Sequence, residues 1–173
     1  MPPVEDALRN DEAARLVAAA EALVRDAPDC WLITLSETAG ANARPMGRAL
    51  PTSNLETWKI QLLTDNRSRK VSELRHTPTV KLIFQRGPEQ AFAALSGSAK
   101  LINEPADVAR LWKRRYEVHF ATEADRVNAA FIEVTVDRME LWIRGVTPEP
   151  FGLRPTIVDR TAGDGWCLRS SLV

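Results

Sequence analysis

The 173-residue sequence predicts a mainly β domain, a small antiparallel barrel with helices packed around it. Three observations carry this expectation. About eight short runs rich in β-branched and aromatic residues are separated by turn signals. Three segments read as helices, the first of them at the N-terminus with an amphipathic period. The length suits a single domain with a sizeable core, and no repeat or linker divides it.

The elements follow in order. Residues 5–26 predict an amphipathic helix, with Leu16, Val17, Ala20, Leu23 and Val24 on one face and Glu, Asp and Arg opposite. Pro28 and Asp29 close it. "CWLITLSE" reads as a strand, "TAGAN" as a turn, and "ARPMGRALPTS" as the hairpin partner, locally weakened by Pro45 and Pro51. "WKIQLLT" is a third strand, and "SRKVSELRHT" a short helix stopped by Pro78. "TVKLIFQ" and "AFAALSGSAKLIN" are two strands joined by "RGPE". Residues 105–128 read as helical, with Val108, Leu111, Trp112 and Tyr116 able to share a face. "FIEVTVD" and "MELWIR" are two further strands, and the tail reads as a last hairpin turned at Gly163–Gly165.

Composition excludes several function classes. Lys and Arg number 23 and Asp and Glu 23, so the balance opposes a general nucleic-acid binder. No apolar run is long enough to span a membrane, and the N-terminus lacks the apolar centre of a signal peptide, so the expectation is a cytoplasmic protein. His76 and His119 have no Cys or His at ligand spacing, and no metal site is expected. Trp31, Trp58 and Trp112 read as core or interface residues, and "KRRY" at 113–116 as a solvated helix face.

The anomaly lies in "LLTDNRSRKVSEL", residues 62–74. Arg67, Arg69 and Lys70 crowd a turn and the first helical positions, where the helix dipole favours Asp or Glu. An anion reverses the sign of that placement: the unpaired N–H groups, the Ser68 hydroxyl, the Arg69 fork and the Lys70 charge could hold a phosphate. The alternative is a solvated basic face with an Arg69–Glu73 ion pair. Arg44-Pro45-Met46 interrupts a strand with a cation, a rigid residue and a polarizable one, which suits the edge of a flat heteroaromatic ring; an irregular edge strand is the alternative there.

Taken together, "RPM", "LLT", "SRKVSEL", "TPTVKLIF" and "LSGSAKLI" occur in an order that resembles the pyridoxamine 5′-phosphate oxidase-like family of FMN-binding split barrels. "MELWIR" resembles that family's "EFW" segment, and "VDR" followed by "WCLRS" its C-terminal "HDR…WKIDR". The resemblance spans roughly residues 30–170 and implies an antiparallel, Greek-key split β-barrel flanked by an N-terminal helix and short helices. It implies residues 1–28 as that helix, 29–145 as the barrel core and 146–173 as the C-terminal hairpin. It implies FMN as cofactor, with Arg44, Pro45 and Met46 at the isoalloxazine and ribityl region. Leu63 and Thr64 would lie beside the flavin, and Ser68, Arg69 and Lys70 on its phosphate. Trp142 matches the family's flavin-contacting Trp, and Arg160 an Arg near the flavin. Gln85 and Gln90 compete for a flavin-contacting Gln, Gln90 having the better local context. The implied assembly is a homodimer with FMN at its interface, and the implied activity an FMN-dependent oxidoreductase with an unidentified small-molecule electron donor and acceptor. A non-catalytic flavin-binding module that stores or senses FMN is the alternative. No catalytic side chain stands out. The family's oxidases proper grip their substrate with an Arg-x-His before "DR"; here Thr156, Ile157 and Val158 precede Asp159-Arg160, so vitamin B6 phosphate is not the expected substrate.

Overall fold

A computed structural model describes residues 4–38, 40–47 and 54–169, and the side chains from residue 9 onward. The N-terminal helix α1 spans Val4–Asp26. Its buried residues Ala13, Leu16, Ala20, Leu23 and Val24 recur at helical spacing and lie on the core. Strands β1 (Asp29–Ser36) and β2 (Gly40–Gly47) form the first hairpin. Residues 48–53, which the sequence assigned to that hairpin, lie outside the described residues. Strand β3 (Lys59–Asp65) leads into helix α2 (Arg69–His76), and β4 (Thr79–Arg86) and β5 (Ala91–Ile102) follow.

All strand pairs are antiparallel, and the main path of the sheet runs β2-β1-β4-β5 and on into β6 (Ala129–Ile143). Strand β6 is the hinge of the architecture. One edge pairs with β5 along its length, while the other pairs first with β3 and then with β7 (Thr156–Arg160). Strand β8 (Trp166–Leu168) pairs with β7. The C-terminal hairpin therefore extends the barrel sheet, and α1 packs against β8 and β4–β7. The sheet divides at β6, which is the split of the barrel.

The sequence predicted two strands where β6 is one. The apolar inward set is Ile132, Val134 and Val136, then Met139, Leu141 and Ile143. The alternation changes phase across Asp137–Arg138. A turn would do this, but so does a bulge, and the register against β5 slips between Ser96 and Gly97. At that point the backbones approach so closely that a Cβ on Gly97 would stand 2.0 Å from the Thr135 carbonyl oxygen.

The predicted helical stretch 105–128 is also broken. It holds helix α3 (Pro105–Leu111), a 3-10 turn (Arg114–Val118) and helix α4 (Glu123–Arg126). Trp112 and Lys113 are extended and interrupt the period, and Thr122 starts α4 with a capping box to Asp125. The segment folds down so that Trp112, Tyr116, Phe120 and Phe131 meet edge to face at 5.7–5.9 Å. This small cluster covers the outside of β3 and β6 and takes in Leu63. No described helix is long and apolar enough to cross a membrane.

Candidate functional site

The strand period decides which predicted residues can meet. Along β1, Cys30, Leu32 and Thr34 face inward. Register pairs Thr34 with Asn42 and Leu32 with Arg44, so Asn42, Arg44 and Met46 share the inward side of β2. Pro45 points the other way, opposite Trp31. Arg44 and Met46 are thus brought together, and Pro45 is not. The same alternation separates Thr64, buried and inward, from Leu63, which joins the outer aromatic cluster.

Helix α2 caps the inward polar group. Glu73, the fifth residue of α2, is buried and accepts from Thr34 Oγ1 at 2.5 Å, Asn42 Nδ2 at 2.7 Å and Arg44 Nη2 at 3.1 Å. Arg44 Nη1 also donates to Thr34 Oγ1 at 2.5 Å. Arg69 stands 3.4 Å from the other Glu73 oxygen, but its side chain is 74% exposed. Burial alone would raise the Glu73 pKa; the Thr34 hydroxyl, the Arg44 charge and the Arg44 and Asn42 bonds outweigh it and hold the carboxyl below its ordinary value.

At the start of α2, Ser68 occupies the N-cap without a side-chain capping hydrogen bond, and no acidic residue lies in the first turn. Thr64 Oγ1 and Ser68 Oγ are 3.3 Å apart. Arg67 turns away and is taken up by Asp65 at 2.6 Å. Lys70 is different: burial first, and then the charge of Arg44, push its pKa down. Arg44, Lys70, two hydroxyls and a helix N-terminus therefore converge with positive charge that the protein itself only partly neutralises. Such a set fits a phosphate group. Asn66 anchors the turn: its N–H donates to Asn128 O at 2.7 Å, and its Oδ1 accepts from Arg75 at 2.8 Å.

The remaining predicted residues lie elsewhere in this chain. Trp142 is at the opposite end of β6 from Thr64, twelve positions beyond its partner Ala130, or about 40 Å of strand, and Gln90 lies just before β5 at that far end. Gln90 has φ +50° and is held by Arg144, whose Nε donates to its Oε1. Gln85 instead shares an outward cross-strand row with Phe92 and Trp142. Arg160 donates to Thr57 O at 2.7 Å and Val136 O at 3.3 Å and lies over the Trp166 ring. In this chain it staples the last hairpin to the barrel.

Sequence reading missed Thr34, Asn42 and the inward role of Glu73. The available signal was a polar residue in the inward register of β1 facing polar residues at alternate positions of β2.

A family model for pyridoxamine 5′-phosphate oxidase-like proteins matches residues 16–148. The chain belongs to this family. Its fold is that of solved relatives. A protein related to general stress protein 26 from Clostridium acetobutylicum aligns at TM-score 0.66 and 18% identity, over 75% of this chain and 89% of that one. An FMN-binding pyridoxamine 5′-phosphate oxidase-related protein from Nostoc punctiforme aligns at 0.67 and 13%, over 90% and 94%. PhzG from Burkholderia lata, solved with tetrahydrophenazine-1-carboxylic acid, aligns at 0.63 and 15%, over 98% and 95%. At these identities the likeness is one of fold. No curated protein matches the chain in sequence.

Proposed function

We propose that the protein binds FMN by its phosphate at the start of α2 and works as an FMN-dependent oxidoreductase. One observation carries the reading: half-buried Lys70 lies one turn before Glu73 on α2, Glu73 holds Arg44 at 3.1 Å, and the helix N-terminus there has no acidic residue. An anion at that point relieves the like-charge repulsion. Ser68, Lys70 and Arg44 would hold the phosphate, Arg69 would close over it from solvent, and Met46 and Thr64 would flank the adjoining part of the cofactor. Bound FMN supplies the hydride or electron transfer. The chain's own residues bind and orient it, and Glu73 fixes the Arg44 fork. Titration of the apo protein with FMN and with riboflavin tests this; equal affinity for the two would refute a phosphate-anchored site.

The outward face of the sheet supports a dimer. Register aligns Trp31 with Pro45 and Ile83, Ile33 with Ala43, and Phe92 with Trp142. Trp31 and Leu35 are 43% and 44% exposed, large apolar groups on a continuous sheet face. A twofold partner on this face would bury more than ~2,000 Å² in total, and would bring a second Trp142 and Gln85 toward the site. The protein is not a dedicated pyridoxamine-phosphate oxidase in this reading, because Ile157 and Val158 offer no donor where that clamp would stand. Turnover of pyridoxamine 5′-phosphate at a dedicated oxidase's rate would refute the point. Binding without turnover is the second reading. It is favoured by Glu73, the site's carboxylate, being engaged by three donors as a structural group. Reduction of bound flavin by NADH or NADPH separates the two.

A further inference from the structure

Glu73 sits in the wrong place for a simple phosphate site, since a carboxylate beside the binding cations repels the ligand. We infer that Glu73 is a built-in counter-anion that sets the charge of the site, matching it to a phosphate monoester dianion; this rests on the FMN reading. The groups facing it are Thr34 on β1, Asn42 and Arg44 on β2, and Arg69 on α2 itself. Lys70 is the other cation of the site, and it senses Arg44, Asp65 and Glu73. Asp65 and Arg67 neutralise each other at the rim. Arg44 and Lys70, with Arg69 exposed at the rim, less one carboxylate leave a formal two positive charges, to which Arg69 contributes least. A terminal phosphate carries about two negative charges at neutral pH, whereas each phosphate inside a diester chain carries one.

The placement also explains why the apo site tolerates its cations. Without a ligand, the half-buried guanidinium of Arg44 needs an acceptor, and Glu73 and Thr34 supply it. The Thr34 contact holds Arg44 independently, so neutralising Glu73 changes charge more than geometry. The Glu73 carboxylate thus lowers affinity for the dianion while it stabilises the empty site.

Glu73→Gln tests this on the full-length apo protein, with FMN and riboflavin as probes in separate flavin-fluorescence titrations. The FMN-to-riboflavin affinity ratio is expected to rise by about tenfold or more, as removal of one charge within a few ångström of a dianion requires at intermediate dielectric. Riboflavin affinity reports any change of shape that both flavins feel, and taking the ratio removes it. A ratio that is unchanged or falls would overturn the inference and leave Glu73 as a support for Arg44 only. Wild-type protein that does not distinguish the two flavins would defeat the FMN reading itself, and the inference with it. Should the variant unfold without ligand, the ratio is read instead from the concentrations of FMN and of riboflavin that restore its fold, set against those that raise the wild-type Tm equally; a ratio no higher than wild type overturns the inference.

Discussion

Gly97→Ala should be strongly destabilising although it replaces glycine within a strand. Such a change ordinarily stabilises by about 0.4–1 kcal/mol where the backbone suits alanine. Here the new Cβ would stand 2.0 Å from Thr135 O, 2.9 Å from Thr135 C and 3.0 Å from Val136 Cα. A carbon and a carbonyl oxygen normally approach to about 3.3 Å, so the overlap exceeds an ångström and falls on backbone. Strand β6 cannot retreat, because β3 pins its other edge on the N-terminal side of the bulge and β7 on the C-terminal side. Relief therefore means breaking ladder bonds beside the bulge. Two of these at about 0.5–1.5 kcal/mol each, with about 1–3 kcal/mol of overpacking strain, give about 2–6 kcal/mol. For a domain of this size that corresponds to a fall in Tm of roughly 5–20 °C. Circular-dichroism melts of both proteins, with urea unfolding as a second measure, would read it. A variant melting within about 2 °C of wild type would show that β5 and β6 do not approach as described.

Three further outcomes are expected. Arg44→Gln should weaken FMN by about 1.5–3 kcal/mol and riboflavin little, while Arg69→Ala should weaken FMN by under about 1 kcal/mol, because the Arg69 side chain is 74% exposed and Arg44 is not; titration calorimetry giving the reverse order would assign the phosphate to Arg69. Glu73 and Asp159 are both held below their ordinary values of 4.5 and 3.8, Asp159 by Arg138 and Arg169 against the opposing effect of burial. Their stabilisation is present above those values and lost as pH falls through the lower folded ones, so Tm should drop on acidification below about 4.5, less steeply in Asp159→Asn; equal slopes would remove Asp159 from the account. Trp31→Glu should yield monomers in sedimentation at micromolar concentration without unfolding the barrel, and an intact dimer would move the interface off the β1–β2 face.

The elements most legible in the sequence are those whose apolar period runs unbroken. Helix α1 and strands β1, β3 and β4 kept the predicted bounds to within a residue or two. The cation-rich turn stood out because Arg69 and Lys70 oppose the helix dipole, a local conflict visible without tertiary knowledge. Strand β6 was misread because a bulge and a turn both reverse an alternation. The segment 105–128 was misread because aromatic packing on Phe131 outweighed helix propensity, although "TEAD" carried a capping-box signal. Glu73 was visible only as the i, i+4 partner of Arg69. Its contacts to Thr34, Asn42 and Arg44 bridge 39, 31 and 29 residues of chain, and no local pattern encodes them.

The shared strand β6 has a consequence for synthesis. Every residue of the proposed phosphate cradle lies before residue 77, yet β3, which delivers the chain to that turn, forms its ladder among the described residues with 129–135, beside a bridge from Lys59 to Asn54. At about 5–20 residues per second, a ribosome makes the turn several seconds before it makes the strand that supports it. Until then β3 has no neighbour on that edge, and Asn66 lacks the Asn128 carbonyl that anchors it. Closure over so many residues places the domain among slow, non-local folders. The nascent chain would therefore acquire its ligand late, and a fragment ending before Ala129 would carry all the anion-binding side chains without the means to hold them together.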